Sequence, residues 1–321
     1  MLLLPHFKGR SLISPDITLP LMKLARPAFM ISMAAVVLSL ALFAIRGLNY
    51  GVDFKGGTML EVQSKGENSK ADITFIRNKV SSLGLGDVQI QSFGSERDVL
   101  IRIEQQRGGE EAQQQALGKV LAALGDAYER RRVEVVGPAV SSELRTTGLI
   151  AVLCSIVAII LYVWFRFEWQ FAVGAVVALA HDVLVTVGVF SLLQLEFDLS
   201  TVAALLTILG YSVNDTVVIS DRIRENLRRY KRMPLTELLD RSLNETLTRT
   251  VMTSLTTIVV LIALLVLGGA VIRNFAFAMT FGVIIGTYSS VFVVAPLLLF
   301  LGVKRDWSGL NQGAAGTPEN A

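Results

Sequence analysis

The chain has 321 residues, 52% of them hydrophobic and only 18% charged, with a mean hydropathy of +0.54. A soluble domain carries about 25% charged residues, so this composition excludes an ordinary soluble protein and points to an integral membrane protein. The net charge of +3 is too small to mark a nucleic-acid binder, and the single cysteine, Cys154, excludes an intrachain disulfide and reads as a buried helix thiol in an apolar run.

Residues 1–28 form a short segment bearing Lys8, Arg10, Lys23 and Arg26. No small-residue cleavage site of the usual kind accompanies the first apolar run, so that run reads as an uncleaved span. Six runs reach the roughly 20 residues needed to cross a bilayer: 29–46, 147–165, 171–193, 199–220, 251–267 and 275–301. Between the first two lies 47–143, which reads as a small α/β domain. Thr58 to Ser64 has strand character. Ile73, Ile76, Val80 and Leu83 line one helix face. Val88 and Ile90 alternate with Gln89 and Gln91, and Val99, Ile101 and Ile103 line one side of another strand. Leu117, Val120, Leu121 and Leu124 form a second helical stripe, and Val133 and Val135 begin a last strand. The order β-α-β-β-α-β predicts a ferredoxin-like split. Residues 221–248 read as a basic helical loop, and the polar tail 302–321 is expected to be disordered toward its end.

Lys and Arg set the orientation. Arg166, the seven basic residues from Arg222 to Arg241, and Lys304 with Arg305 all share a side with the N-terminal segment. The short opposite loops, 194–198 and 268–274, hold only Arg273. Both termini are therefore expected to be cytoplasmic and the 47–143 domain to lie outside.

Asp215 sits in the fourth span and Arg249 opens the fifth. A charge at bilayer depth costs about 2.5–3.5 kcal/mol or more and survives mainly where it pairs, lines water or moves ions. Burial and a nearby cation pull a carboxyl in opposite directions, which can poise it to load and release a proton. In Gly210-Tyr211-Ser212-Val213-Asn214-Asp215-Thr216, Asp215 shares a helix face with Tyr211 and Ser212. Gly210 and Ser212 allow close helix approach, and Asn214 can bond across an interface; polar glue between helices is the alternative role for Ser212 and Asn214. Arg249 either snorkels to the headgroups with Glu245 as its helical partner, or meets Asp215 at similar depth, heading a hydroxyl stripe through Thr253 and Thr256 or Thr257. His181 and Asp182, midway along the third span, are candidates for a polar core. Adjacent helical residues do not face each other, so the two are not expected to pair, while Asp182 can reach Thr186.

Gly51-Val52-Asp53-Phe54-Lys55-Gly56-Gly57 follows the first span, and Gly137-Pro138 precedes the second. Read plainly, the glycines permit positive φ and the proline ends a strand. Read together, the two segments are joints that couple the outside domain to the membrane. No G-x-x-x-x-G-K-[ST] phosphate loop occurs, which argues against ATP use. Two distant histidines, His6 and His181, and one remote cysteine make no metal set. No catalytic residue, cofactor site or metal site is expected.

These motifs resemble those of the bacterial SecF family, within the RND-type superfamily. Gly51 to Gly57 is similar to its GxDFxGG motif, and Gly210 to Asp215 with Asp221 to Asn226 to its GYSxND…DRIREN signature. His181-Asp182 and Glu245 to Thr250 also match its pattern, and the resemblance runs from Lys23 to about Arg305. It implies six membrane helices and one periplasmic domain in the inner membrane, a heterodimer with SecD, and association with SecYEG and YajC. The implied activity is late-stage export of preprotein driven by the proton-motive force. Asp215 would be the membrane carboxylate of proton conduction and Arg249 the membrane arginine, with a further essential carboxylate on SecD. Two other classes stay open. One is an RND-type small-molecule exporter half, which would need a larger apolar pocket outside. The other is a purely structural translocon subunit, which would gain little from a costly membrane acid. Contact with membrane lipid is expected, with anionic lipid along Asp221 to Met233.

Overall fold

The computed structural model describes residues 19–65, 70–86, 88–269 and 271–303. His6, Lys8, Arg10, Lys304, Arg305 and the expected tail beyond them lie outside that set. In chain order the elements are α1 (Ala25–Arg46), β1 (Asn49–Tyr50), a one-turn α2 (Val52–Lys55), β2 (Gly57–Ser64), α3 (Ile73–Ser81), β3 (Val88–Phe93), β4 (Ser95–Ile103), α4 (Gly109–Leu124) and β5 (Tyr128–Val136). Then follow α5 (Pro138–Arg166), α6 (Trp169–Leu193), β6 (Glu196–Phe197), α7 (Leu199–Arg229), α8 (Leu235–Leu267), α9 (Arg273–Ser289) and α10 (Ala295–Leu301). Among the described residues, six helices are long and apolar enough to cross a membrane, with α9 and α10 counting as one. The chain is a multi-pass membrane protein.

Each expected span falls within a longer helical stretch that runs past it at one end or both, because backbone hydrogen bonding continues where the side chains turn polar. Helix α5 starts at Pro138, whose fixed φ and missing N–H suit the first helical position. Helix α7 runs on to Arg229 and α8 begins at Leu235, so the expected 221–248 loop is two helix ends joined by a short turn. The sixth span is not continuous. One π turn, Ser290–Val294, separates α9 from α10, beside Pro296, which cannot donate into a regular α ladder.

Burial divides the bundle. About half of the apolar windows of α6, α7 and the last span is buried, against 11% for α1, 6% for α5 and 17% for α8. The first three make the core and the others pack around it. Small residues allow the closest approaches: a Cβ on Gly282 would strike the Ile208 side chain, one on Gly188 would strike Ser39, and one on Gly286 would lie 3.1 Å from Ser212 Cβ. Gly210, expected to play that part, has open space where a Cβ would point. Cys154 is exposed rather than buried. It lies on α5, and apolar composition there does not distinguish a helix facing protein from one facing outward.

The α/β domain has strand order β3-β4-β2-β5 with every neighbouring pair antiparallel. With α3 and α4 as the two crossovers, this is the split β-α-β connectivity. Leu60, Val62, Ile76, Val80, Val99, Ile101, Ile103 and Val120 form its core. The last strand starts at Tyr128, not Val133. Its first half, Glu129 to Arg132, is exposed and carries no alternating apolar signal, yet it pairs with β2 through a bulge at Glu61/Val62. Leu100 and Arg102 lie on the opposite face of β4 from the Val99, Ile101 and Ile103 side, and Arg102 meets the bundle there through Glu196.

Candidate transport site and its coupling joint

Asp215 is 4% exposed, and its Oδ2 has no hydrogen-bond partner. Buried hydroxyls without partners lie on the same two helices: Tyr211 and Thr216 on α7, and Thr250 on α8. Arg249 is the cation whose field reaches Asp215. No salt bridge within 4.0 Å joins them among the described residues, and Arg249 is exposed. The alternative Glu245–Arg249 pair is not made. The Glu245 carboxylate instead accepts from Arg222 Nε at 2.7 Å, Asn226 Nδ2 at 2.7 Å and Arg241 Nε at 3.0 Å. The hydroxyls of Thr253, Thr256 and Thr257 donate to carbonyls of their own helix.

One turn along α7 from Asp215, Ser212 belongs to a closed polar knot centred on Asp182, which is 0% exposed. Asp182 Oδ2 accepts from Ser212 Oγ at 2.6 Å and Ser289 Oγ at 2.9 Å, and Oδ1 meets His181 Nδ1 at 2.9 Å. The expectation that His181 and Asp182 would not pair is corrected. Nδ1 is the ring nitrogen nearest the backbone and the Asp side chain is short, so the two meet over their own helix despite pointing in different directions. Thr186 donates to the Asp182 backbone carbonyl, not its carboxylate. The knot joins α6, α7 and the residue just before the π turn. Asn214 is exposed and faces away from it.

The glycine-rich joint is built against the start of α7. β1 pairs in parallel with β6, and Gly51 N–H donates to the Phe197 carbonyl at 2.9 Å. A Cβ on Gly51 would sit 2.8 Å from Glu196 Oε1. Asp53 Oδ2 accepts the Leu199 N–H at 3.0 Å, while Asp198, the N-cap, accepts the Thr201 N–H at 2.7 Å. Two carboxylates thus occupy the positive end of the α7 dipole. Phe54 is buried against Phe197, with ring centroids 6.1 Å apart. Gly56 has φ 75° with Gln105 Oε1 2.8 Å from a notional Cβ, and Gly57 has φ 122° with the Ile103 carbonyl where its Cβ would be. Gly137 has an ordinary extended backbone and open space, so nothing there requires glycine; with Pro138 it passes β5 directly into α5. A second tie, unforeseen from the sequence, is the ion pair between Arg102 of β4 and Glu196 of β6. Burial pushes the Arg102 guanidinium below its ordinary pKa, and the nearby Asp198 charge pulls it back up.

The family model described as protein export membrane protein SecD/SecF, C-terminal, matches residues 116–304, and the SecD/SecF GG motif model matches residues 41–66. The chain is 43% identical over 297 residues to protein translocase subunit SecF of Vibrio alginolyticus, covering 92% of this chain and 93% of that protein. The chain belongs to the SecD/SecF family. It is also 49% identical over 294 residues to SecF of Rhodobacter capsulatus, covering 87% and 86% of the two chains. Among solved structures it is similar to SecDF of Thermus thermophilus, described as a translocon-associated membrane protein, with TM-score 0.80 and 38% identity. That match covers 90% of this chain and 39% of the SecDF chain. The GG-motif match spans the whole glycine joint, and the C-terminal match spans Asp182, Asp215, Ser289 and Arg249.

Sequence reasoning missed Arg102, Glu196, Asp198 and Ser289. The Asp198 cap was legible as an acid just before a helix start. Arg102 interrupts the apolar run from Val99 to Ile103 of β4, a signal for a buried ion pair, but its partner is 94 residues away.

Proposed function

We propose that the chain is the SecF-like half of a proton-driven protein-export device, acting with a SecD-like partner at the translocon of a bacterial inner membrane. Its termini are cytoplasmic and its α/β domain is periplasmic. The observation that carries this reading is a buried carboxyl, Asp215, with one oxygen free of protein partners, on the helix whose start is gripped by Asp53 of the glycine joint. Protonation of Asp215 from the periplasmic side removes its attraction to Arg249, and α7 and α8 repack. A helix transmits such a shift stiffly over the roughly 24 Å from Asp215 to Leu199. There the Asp53 cap and the Arg102–Glu196 pair pass it to the α/β domain, which with its SecD counterpart holds emerging preprotein and biases it outward. One charge crossing the field is worth about 2.3 kcal/mol per 100 mV, enough to bias a two-state rearrangement. Asp182 already engages three donors and serves to position α7. SecYEG and YajC are the further partners the family resemblance implies. The role is transport rather than bond-making chemistry.

The test is Asp215→Asn together with the SecD partner in energised inverted vesicles. Proton-dependent export is expected to fall to background with the complex still assembled. Undiminished export overturns the proposal, and loss of assembly favours a scaffold.

A further inference from the structure

At the end of the bundle away from the α/β domain, the turn from α5 to α6 carries two features that the transport reading does not use. An apolar groove of about 360 Å³ runs between the two helices, lined by Ile160, Trp164, Trp169, Val173 and Val177. A cleft of about 440 Å³ is formed by Arg166 of the same turn with Asp221, Arg224, Glu225, Arg228 and Arg229 of α7. Four arginines there face two carboxylates, and both carboxylates are engaged. Asp221 accepts from Arg166 at 2.9 and 3.1 Å, and Glu225 accepts from Arg222 at 2.6 Å. Arg224 and Arg228, about one turn apart on α7, have no acidic partner among the described residues, and Arg224 Nε is closed to solvent without a hydrogen bond.

We infer that this turn holds an anionic phospholipid, with an acyl chain in the groove and the phosphate in the arginine cleft. The depth fits: tryptophans mark the membrane boundary, and arginines just beyond it meet headgroups. The chemistry fits as well. Guanidinium groups with unused donors match phosphate oxygens, and basic pockets between membrane helices select acidic headgroups. The groove supplies what a free phosphate would not need, which commits the site to a lipid. The inference does not depend on the proton-driven reading.

The test uses the full chain in detergent, titrated with phosphatidylglycerol or phosphatidylcholine, with retained lipid read by native mass spectrometry. Phosphatidylglycerol is expected to bind more tightly. Arg224→Gln with Arg228→Gln should weaken it roughly thirtyfold, as expected for two basic residues at an anionic headgroup, and leave phosphatidylcholine unchanged. Trp164→Ala should weaken both lipids. Arg130→Gln with Arg131→Gln, on the α/β domain, removes the same charge and should change nothing. If the double variant fails to fold, Arg228→Gln alone, at an exposed position, should give about fivefold. The inference is overturned by unchanged phosphatidylglycerol binding in the folded cleft variant, by an equal loss in the α/β-domain control, or by displacement of the lipid with soluble glycerol phosphate.

Discussion

The Arg102–Glu196 ion pair ties the α/β domain to the membrane bundle away from the chain connections, and its worth can be worked out. Both side chains are largely buried, at 10% and 16% exposure. Removing one member of such a pair leaves an unpaired buried charge, at a typical cost of about 3–5 kcal/mol. Two features reduce that here: Asp198 remains near Arg102, and the cleft beside Glu196 and Asp198 is open. Arg102→Met is therefore expected to weaken docking of the domain by about 2–3 kcal/mol, a factor of roughly 30–150 in the docking equilibrium. The loss should be local. Amide hydrogen exchange is the assay, read at Gly51, whose N–H is held by Phe197, and at Leu199, whose N–H is held by Asp53. Both amides should exchange faster by a comparable factor, while the domain core around Ile101 and Val120 keeps its protection. Glu196→Gln should move the same amides in the same direction. Arg102→Met with Glu196→Leu should recover much of the loss, because replacing both charges by apolar groups avoids the unpaired ion. If exchange at Gly51 and Leu199 stays within about twofold of wild type, or the two single changes add without coupling, the pair is not a latch.

Two further outcomes are expected within the bundle. Asp182→Ala leaves Ser212, Ser289 and His181 without their shared partner and should cost about 2–4 kcal/mol, lowering the thermal midpoint, whereas Asp182→Asn keeps an acceptor for the serines and should recover part of it; an unchanged midpoint for the alanine variant refutes the knot. Gly282→Ala drives a methyl into Ile208 and should cost about 1–3 kcal/mol by overpacking, with Ile208→Ala partly compensating in the double variant; strict additivity of the two midpoint shifts would show that α7 and α9 do not meet there as closely as described.

The sequence by itself determined which residues avoid water. Six apolar runs, the alternation of Val99, Ile101 and Ile103, and the stripes of the two domain helices follow from helix and strand periodicity, and they appear in the structure, except that Leu83 lies past the end of α3 at Ser81. So does the burial of Asp215. The tertiary structure alone decided which apolar surfaces face protein. In a bilayer both the interior and the surroundings favour apolar side chains, so the expectations for Cys154 and Gly210 failed, and Asn214 likewise turned outward from the polar knot. It also decided who pairs with whom. Glu245 has two helical partners at four-residue spacing, Arg241 and Arg249; it takes Arg241 and leaves Arg249, and it also accepts from Arg222 and Asn226 of α7. Asp182 collects donors from three helices, and Arg102 finds Glu196 across 94 residues. Local spacing sets which contacts a helix or strand can make, but the neighbour that competes best for a buried charge is chosen only when the helices are packed together.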